Sequence, residues 1–324
     1  MPLTADPAAA VTLEDVRAAA RTLEGVAVRT PLVEVPALST LAGVPVALKC
    51  EQLQPIGAFK LRGAYYAISR AVAAGARGVV TQSSGNHGQA VAYAARAFGL
   101  RAVVVMPEST PRIKVEGVRR HGGEVVFAGA VRSLEQQRRA EAVAREDGLT
   151  MIPPFDHPDV VAGQGTIGLE LVEQRPDVET VLSPVSGGGL LAGITVAVSA
   201  LKPSARIVAV EPAGAPKLTA ALAAGAPRTL ERTESMADGL LTRSIGSFTF
   251  PIIRRVVREA VQVTEDEIAA AVRFLYHEAG LRVEPSGAVT TAAVLGGRVR
   301  LAGPTVAVVS GGNVDPELFQ RLAE

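Results

Sequence analysis

The sequence predicts an α/β protein in which parallel sheets are covered by helices on both faces. Short apolar segments typical of buried strands alternate with helical segments through most of the chain. Polar or glycine-rich loops follow two of these strands, at the end of the sheet where such folds bind ligands. The strands are too numerous for one compact sheet, and 324 residues exceed the usual size of one domain. We therefore expect two domains.

The first half of the chain opens with a helix and then settles into this alternation. Residues 12–23 predict a helix, because Thr12 and Asp15 form a capping pair ahead of alanine-rich turns. Residues 45–53 alternate in polarity like a strand, and residues 59–74 are amphipathic. Further strands are predicted at 78–82, 101–106, 124–128 and 150–152, and further helices at 89–98, 111–121 and 133–146.

The second half continues in the same way, and a domain boundary is expected near Pro153 and Pro154. The chain shows no repeat of fixed period and no low-complexity segment. Strands are predicted at 181–185, 206–211 and 305–310, and helices at 158–174, 189–201 and 264–279.

The composition excludes several classes of protein. A net charge of +1 without long basic blocks argues against nucleic acid as the main partner, and it offers no electrostatic attachment to a membrane. The most apolar stretch, 190–201, is too short to span a bilayer, and the N-terminus does not resemble a signal peptide. One cysteine excludes an internal disulfide, and four scattered histidines give no metal-site spacing. We expect a cytoplasmic globular protein.

Two loops are candidate binding sites because each joins a predicted strand to the helix after it. The first has the sequence Ser-Ser-Gly-Asn-His-Gly (83–88), and the second Ser-Gly-Gly-Gly-Leu (186–190). Three successive glycines allow the backbone to wrap closely around a phosphate at a helix N-terminus. An ordinary tight turn is the alternative, and for the first loop alone it is nearly as good an explanation.

The glycine loop also fits a dinucleotide-binding fingerprint. Gly187, Gly189 and Ala192 have the required spacing, and Glu211 ends the next strand, close to where a ribose-binding acid is expected. NAD binding is therefore an open alternative on the local pattern. No histidine elsewhere has the partners that a hydride-transfer site would need.

Residues 54–64 (QPIGAFKLRGA) resemble the lysine segment of the fold-type II pyridoxal-phosphate (PLP) enzymes, in the form found in the threonine/serine dehydratase and serine racemase family. Six further motifs follow in the family's order, so the resemblance spans roughly residues 20–316, and the NAD alternative becomes minor. These motifs are 83–88, 162–166 (AGQGT), 186–190, 237–239 (ADG), 284–287 (EPSG) and 310–315 (SGGNVD).

The resemblance implies a tryptophan synthase β-like fold with PLP in the cleft between two α/β domains. Residues 1–52 and 154–324 would form the large PLP-binding domain, and residues 53–153 the small substrate or lid domain. It also implies an L-threonine or L-serine ammonia-lyase (dehydratase), which forms a 2-oxo acid and ammonia by α,β-elimination. A cytoplasmic, catabolic homodimer is the corresponding expectation.

The resemblance assigns roles residue by residue. Lys60 would hold PLP covalently and act as the base at Cα, and Ser84 is the candidate second catalytic residue. Ser310 would face the pyridine nitrogen with a neutral hydroxyl, which favours elimination over transamination. The expected substrate site is Ser83, Ser84, Gly85, Asn86 and His87, although the His87 ring is interpreted as structural. The expected cofactor site is Phe59, Lys60, Asn86, Ser186, Gly187, Gly188, Gly189, Leu190, Gly239, Glu284 and Ser310.

The chain departs from the family's pattern at two places. Ala58 replaces a serine that many relatives have before the Phe-Lys pair, which affects substrate preference. Relatives that bind a divalent cation use a Glu, a carbonyl four residues on and an Asp six residues on, where this chain has Glu211, Ala215 and Lys217. An ammonium cannot ligate a cation, so we predict no magnesium there. Lys217 either replaces the charge of the ion or points to solvent.

Other reactions are compatible with the same site. Ser84 opposite Lys60 would return a proton to the other face of the substrate and give a racemase. A 3-hydroxyaspartate ammonia-lyase would need a further cation for the second carboxylate, and the sequence does not locate one. A PLP-holding protein without turnover is the remaining alternative.

Overall fold

The computed structural model describes residues 11–131 and 134–324, and within these ranges ten strands form two sheets. Several of the central strands are buried on both faces, as the apolar segments of the sequence predict. The strands are β1 (Leu32–Glu34), β2 (Val46–Cys50), β3 (Gly78–Gln82), β4 (Arg101–Met106), β5 (Glu124–Phe127), β6 (Thr150–Met151), β7 (Thr180–Pro184), β8 (Arg206–Pro212), β9 (Ala260–Val263) and β10 (Thr305–Val309).

The larger sheet has six strands in the order β1-β2-β10-β7-β8-β9, and the smaller has four in the order β5-β4-β3-β6. All pairs are parallel except β1 with β2. The predicted fold class, two mostly parallel sheets flanked by helices, is confirmed. The smaller sheet lies within residues 53–153, while the domain boundaries themselves stay a prediction.

Thirteen α-helices cover the sheets in the described parts of the chain. No helix there is long and apolar enough to cross a membrane. The helices are α1 (Leu13–Leu23), α2 (Pro36–Ala42), α3 (Lys60–Ala73), α4 (Asn86–Ala97), α5 (Arg112–Arg120), α6 (Leu134–Glu146), α7 (Pro158–Gln174), α8 (Gly189–Leu201), α9 (Lys217–Ala224), α10 (Thr249–Arg254), α11 (Glu265–Ala279), α12 (Pro285–Leu295) and α13 (Pro316–Ala323).

A buried ionic network joins α3 to the larger sheet and to α7. The Arg62 guanidinium binds Glu51 (2.8 Å) and Glu170 (2.6 Å), and Lys49 binds the other oxygen of Glu170 (2.6 Å). Burial alone would raise the pKa of Glu51, but Arg62 holds that pKa below its ordinary value. Because α3 begins at Lys60, this network fixes the helix that carries the predicted catalytic lysine.

The predicted elements are present, with differences at their ends. The strand predicted at 45–53 ends at Cys50, where a 3₁₀ turn (Glu51–Leu53) redirects the chain, and α4 begins at Asn86 rather than at residue 89. The predicted helix start at Ser133 lies outside the described residues. No sequence pattern predicted β1, β9, α2, α9, α10, α12 or α13.

The missed elements lack the patterns on which the predictions relied. Helix α12 has ten of its eleven residues buried, so it has no polar face from which to infer a helical period. Strands β1 and β9 have three and four residues, lie at the two edges of the larger sheet, and are defined mainly by pairing with distant strands.

Candidate active site

The segment before Lys60 is joined to the end of β10. Ala58 pairs with Gly311 in an isolated antiparallel bridge, and the Phe59 amide donates to the Ser310 carbonyl (3.0 Å). The Gly312 amide in turn donates to the Gly57 carbonyl (2.9 Å). These bonds bring the predicted catalytic lysine next to the predicted partner of the pyridine nitrogen, 250 residues away in the chain.

The Lys60 amine is poised to lose its proton. Its Nζ donates to the Pro154 carbonyl (2.5 Å) and lies 5.1 Å from the centre of the Phe59 ring. Removal from bulk water lowers the pKa of Lys60 to about 8. A minority of the amine is therefore neutral near physiological pH, far more than for an ordinary lysine, and the neutral form is the one that acts as a nucleophile and a base.

The polar loop 83–87 leads into the N-terminus of α4, as the sequence predicts. The Ser83 amide donates to the Val105 carbonyl (3.1 Å), and the Gly85 amide donates to the Ser83 hydroxyl (3.2 Å). A Cβ built on Gly85 meets no atom within 4 Å, so the backbone borders open space there. The loop thus places a helix N-terminus beside this open space, where an anion would be favoured.

The His87 ring lies away from this open side. It is buried, and its Nε2 lies 3.1 Å from the Ile152 carbonyl at the end of β6. Burial, with the nearby positive charge of Lys60, lowers the pKa of His87 to about 3, so the ring is neutral. This geometry supports a structural role for the imidazole.

Asn86 is held by two long-range contacts. Its Nδ2 donates to the Glu284 carboxyl (2.6 Å), and its Oδ1 accepts from Asn313 (2.9 Å), whose amide also donates to the Ile56 carbonyl (2.8 Å). The sequence alone assigned no role to Asn313, although this residue lies in the 310–315 motif. Its neighbours in that motif were the available clue.

Glu284 is buried at the start of α12. Burial, with the negative charge of Asp238, raises the pKa of its carboxyl to about 7, while Lys114 and Asn86 act in the opposite direction. The native state therefore holds a proton that the unfolded chain releases near the ordinary pKa of 4.5.

Between pH 5.5 and 7, the wild type is expected to lose stability relative to the Glu284→Gln variant as the pH rises. In this range the native carboxyl keeps a proton that the unfolded one has lost, so the unfolding free energy falls by about 1.4 kcal/mol per pH unit and levels off above pH 7. Glutamine does not titrate. Urea unfolding of both proteins at pH 5.5, 6.5, 7.5 and 8.5 tests this, and a stability difference that is constant with pH would contradict it.

Ser310 lies buried at the end of β10. Its hydroxyl donates to the Ser286 carbonyl (3.4 Å), and the Ser286 hydroxyl accepts from the Gly239 amide (2.9 Å). Three motifs that are far apart in the sequence, at 237–239, 284–287 and 310–315, therefore meet at one place. Their hydroxyl and amide groups carry no formal charge.

The glycine loop 186–190 turns from β7 into α8. Gly188 has φ +97°, a conformation that side chains with a Cβ rarely adopt, and the Gly187 carbonyl accepts from Thr249 (2.7 Å) and from the Gly246 amide (3.0 Å). The Ser186 hydroxyl lies 3.1 Å from the Thr242 hydroxyl. The Gly187 carbonyl is turned toward Thr249 and Gly246. The first backbone amides of α8 therefore remain available to bind an anion.

Two consecutive residues connect this loop to the lysine. The Pro154 carbonyl binds Lys60, and the Phe155 ring packs so closely on Gly187 that a Cβ there would lie 2.4 Å from it. These contacts bring an amine of low pKa close to the glycine loop at the N-terminus of α8 and to a neutral hydroxyl. These residues fit an aldehyde cofactor that carries a ring nitrogen and a phosphate.

The comparison with protein families agrees with this geometry. The model of the family described as "Pyridoxal-phosphate dependent enzyme" matches residues 23–311. The chain belongs to this family. Pyridoxal 5'-phosphate is therefore the cofactor, and the dinucleotide alternative is set aside.

Comparison with individual proteins shows which members of the family this PLP enzyme resembles in sequence and structure. An L-threonine ammonia-lyase of Thermotoga maritima is 40% identical over 314 residues, which is 96% of this chain and 78% of the relative. One of Geobacter sulfurreducens is 44% identical over 299 residues, 91% and 74% of the two chains. A maize serine racemase structure matches with a TM-score of 0.92 and 35% identity, covering 96% of each chain.

The position predicted to lack magnesium has a buried lysine. Lys217 is fully buried at the start of α9, so the solvent-exposed alternative is wrong. Among the described residues, no group of three or more His, Cys, Asp or Glu side chains is arranged to hold a metal ion.

Proposed function

We propose that this PLP enzyme is an ammonia-lyase that converts L-threonine or L-serine to a 2-oxo acid and ammonia by α,β-elimination. The observation that carries the proposal is a partly buried amine of low pKa beside an uncharged partner for the ring nitrogen, in a chain 40–44% identical to L-threonine ammonia-lyases. When bound, PLP withdraws electrons from Cα and so acidifies its proton.

Lys60 supplies the base. Its pKa of about 8 leaves neutral amine available to accept the Cα proton, and its bond to the Pro154 carbonyl fixes the direction of its Nζ. Phe59 packs beside it, 5.1 Å from that nitrogen. We therefore assign Lys60 both covalent attachment of the cofactor and proton abstraction.

Each of the two loops is assigned one negatively charged group of the bound substrate and cofactor. We assign the substrate carboxylate to the hydroxyls and amides of residues 83–87 at the N-terminus of α4, and the cofactor phosphate to residues 186–190 at the N-terminus of α8. Asn86 is assigned to the ring hydroxyl oxygen, because Glu284 and Asn313 fix its amide. Gly239 and Glu284 border the ring.

Ser310 is assigned to the pyridine nitrogen. A hydroxyl there supplies no negative charge to stabilise a protonated ring, so electrons remain available to expel the β-hydroxyl group. The chemistry thereby favours substrates with a leaving group at Cβ.

The charge near the cleft favours substrates with a single carboxylate. The structure does contain a further cation, Lys114 of α5, but its ammonium contacts the Asp238 carboxylate. Asp238 thus neutralises the charge that a second substrate carboxylate would require. L-threonine and L-serine are accordingly preferred over 3-hydroxyaspartate, although one relative bears the name L-threo-3-hydroxyaspartate ammonia-lyase.

The test is to incubate the PLP-loaded protein with L-serine and with L-threonine and to quantify 2-oxo acid and D-amino acid together. We expect rapid release of oxo acid with little D-isomer. Accumulation of D-serine that is lost in the Ser84→Ala variant would instead make the enzyme a racemase with Ser84 as its second base. Absence of both products would overturn the proposed substrates.

Further assignments accompany this proposal. We place the protein in the cytoplasm as a catabolic homodimer. We assign residues 53–153 to a small substrate or lid domain and the remainder to the PLP domain. Size-exclusion chromatography with light scattering tests the dimer.

A further inference from the structure

A lysine without contact to solvent begins helix α9. The Lys217 side chain is 0% exposed, and its Nζ donates to the Ala215 carbonyl (2.7 Å) and lies 3.8 Å from the Glu211 carboxylate, which is also 0% exposed. The lysine backbone amide donates to the same Ala215 carbonyl (2.9 Å). The ammonium thus closes a small loop between the end of β8 and α9.

The position is an unfavourable one for a positive charge. Burial lowers the pKa of Lys217 to about 8 against the attraction of Glu211, and the N-terminus of a helix repels cations. A solvated surface lysine would avoid both costs. The ammonium therefore has a compensating partner in the oxygen atoms around it.

Glu211 provides that partner. Its carboxylate accepts from the amides of Leu218 (2.9 Å) and Thr219 (3.0 Å) and from the Thr219 hydroxyl (2.7 Å). These donors bind the carboxylate to the first turn of α9. The Lys217 Nζ therefore lies next to both the buried carboxylate of Glu211 and the backbone carbonyl of Ala215.

A carboxylate and a carbonyl are the hard oxygen ligands that Mg²⁺ and Ca²⁺ prefer, but a metal ion does not fit here. The third group is an ammonium, which has no lone pair to donate and which repels a cation. The divalent cation that some relatives bind at these positions is therefore incompatible with this loop.

We propose that Lys217 is a built-in cation, which takes the place of a bound divalent ion at the β8–α9 loop and makes the protein independent of such ions. The loop matters to the site because the Gly214 carbonyl accepts from the Glu234 amide (3.0 Å), in the segment that leads to Ala237 and Gly239. The proposal concerns ion binding and stability, so it holds whichever amino acid the enzyme turns over.

The experiment compares the holoenzyme with its Lys217→Asp and Lys217→Met variants, with Lys202→Asp as the matched control. Lys202 is partly exposed and donates to the Pro176 carbonyl (2.9 Å). Thermal unfolding is measured in EDTA and in millimolar MgCl₂, CaCl₂ or MnCl₂, and binding of each ion is measured by calorimetry.

We expect the wild type and Lys202→Asp to bind no ion at this loop and to keep the same Tm in EDTA and in each salt. Lys217→Asp should bind one divalent ion, with a Tm lowered by roughly 5 °C in EDTA and restored by that ion. Lys217→Met should show the same lowering of Tm in EDTA, and no ion should restore it. Saturable, stabilising ion binding by the wild type would overturn the proposal, as would failure of Lys217→Asp to bind an ion or a Lys217→Met variant as stable as the wild type.

Discussion

The Lys60→Ala variant is expected to lose both turnover and the visible absorbance of covalently held cofactor. Without the amine there is no nucleophile for the cofactor aldehyde and no base at Cα, so kcat/KM should fall at least ~10⁴-fold. Oxo-acid formation and the absorbance spectrum of the PLP-loaded protein measure the two losses separately.

A control variant, Lys202→Ala, and a second measurement, borohydride reduction, accompany this prediction. Lys202→Ala removes a lysine that donates only to the Pro176 carbonyl among the described contacts, and it should keep both properties. Borohydride reduction followed by peptide mass analysis should place the cofactor on Lys60 in the wild type. A Lys60→Ala protein that keeps the absorbance and the activity would show that another group holds PLP.

Replacing Arg62 by methionine is expected to produce the largest loss of stability. The change leaves the buried carboxylate of Glu51 and the partly buried carboxylate of Glu170 with Lys49 as the remaining cation of the network. Breaking a buried ion pair in this way costs about 3–5 kcal/mol. Urea unfolding of the holoenzyme measures the loss, and the urea concentration at the midpoint should fall accordingly.

Arg29→Met is the matched control. Arg29 makes an ion pair of similar length with Glu173 (2.7 Å), but both side chains are more than half exposed. Exposed pairs contribute about 0–1 kcal/mol, so this variant should unfold close to the wild type. Equal losses in the two variants would show that burial of the Arg62 network does not determine its strength.

The sequence alone predicted the parts of the fold that short-range patterns encode. The capping pair of Thr12 and Asp15 forms as expected, and the apolar segments between residues 78 and 106 become adjacent parallel strands. A capping hydroxyl or an alternating strand acts over a few neighbouring residues, so its pattern is complete in the local sequence. The glycine loop 186–190 was predicted for the same reason, because its three consecutive glycines are visible in the local sequence.

Contacts between distant segments were beyond the reach of those patterns. The roles of Pro154 and Phe155 at the lysine and the glycine loop depend on a carbonyl and a ring brought there by the chain as a whole. The contact of Asn313 with Asn86 spans 227 residues. The local sequence around these residues does not show which distant groups they contact.

Lys217 shows most clearly what the sequence and the tertiary structure each determine. The sequence determined that an ammonium stands where related chains have a carboxylate, and hence that a divalent ion is disfavoured at this loop. Only the tertiary structure decided between a solvated side chain and a buried one, because burial depends on how β8 and α9 pack together. In the same way, the sequence placed Lys60 in a recognisable motif, but its pKa of about 8 results from the removal of water by the folded chain around it.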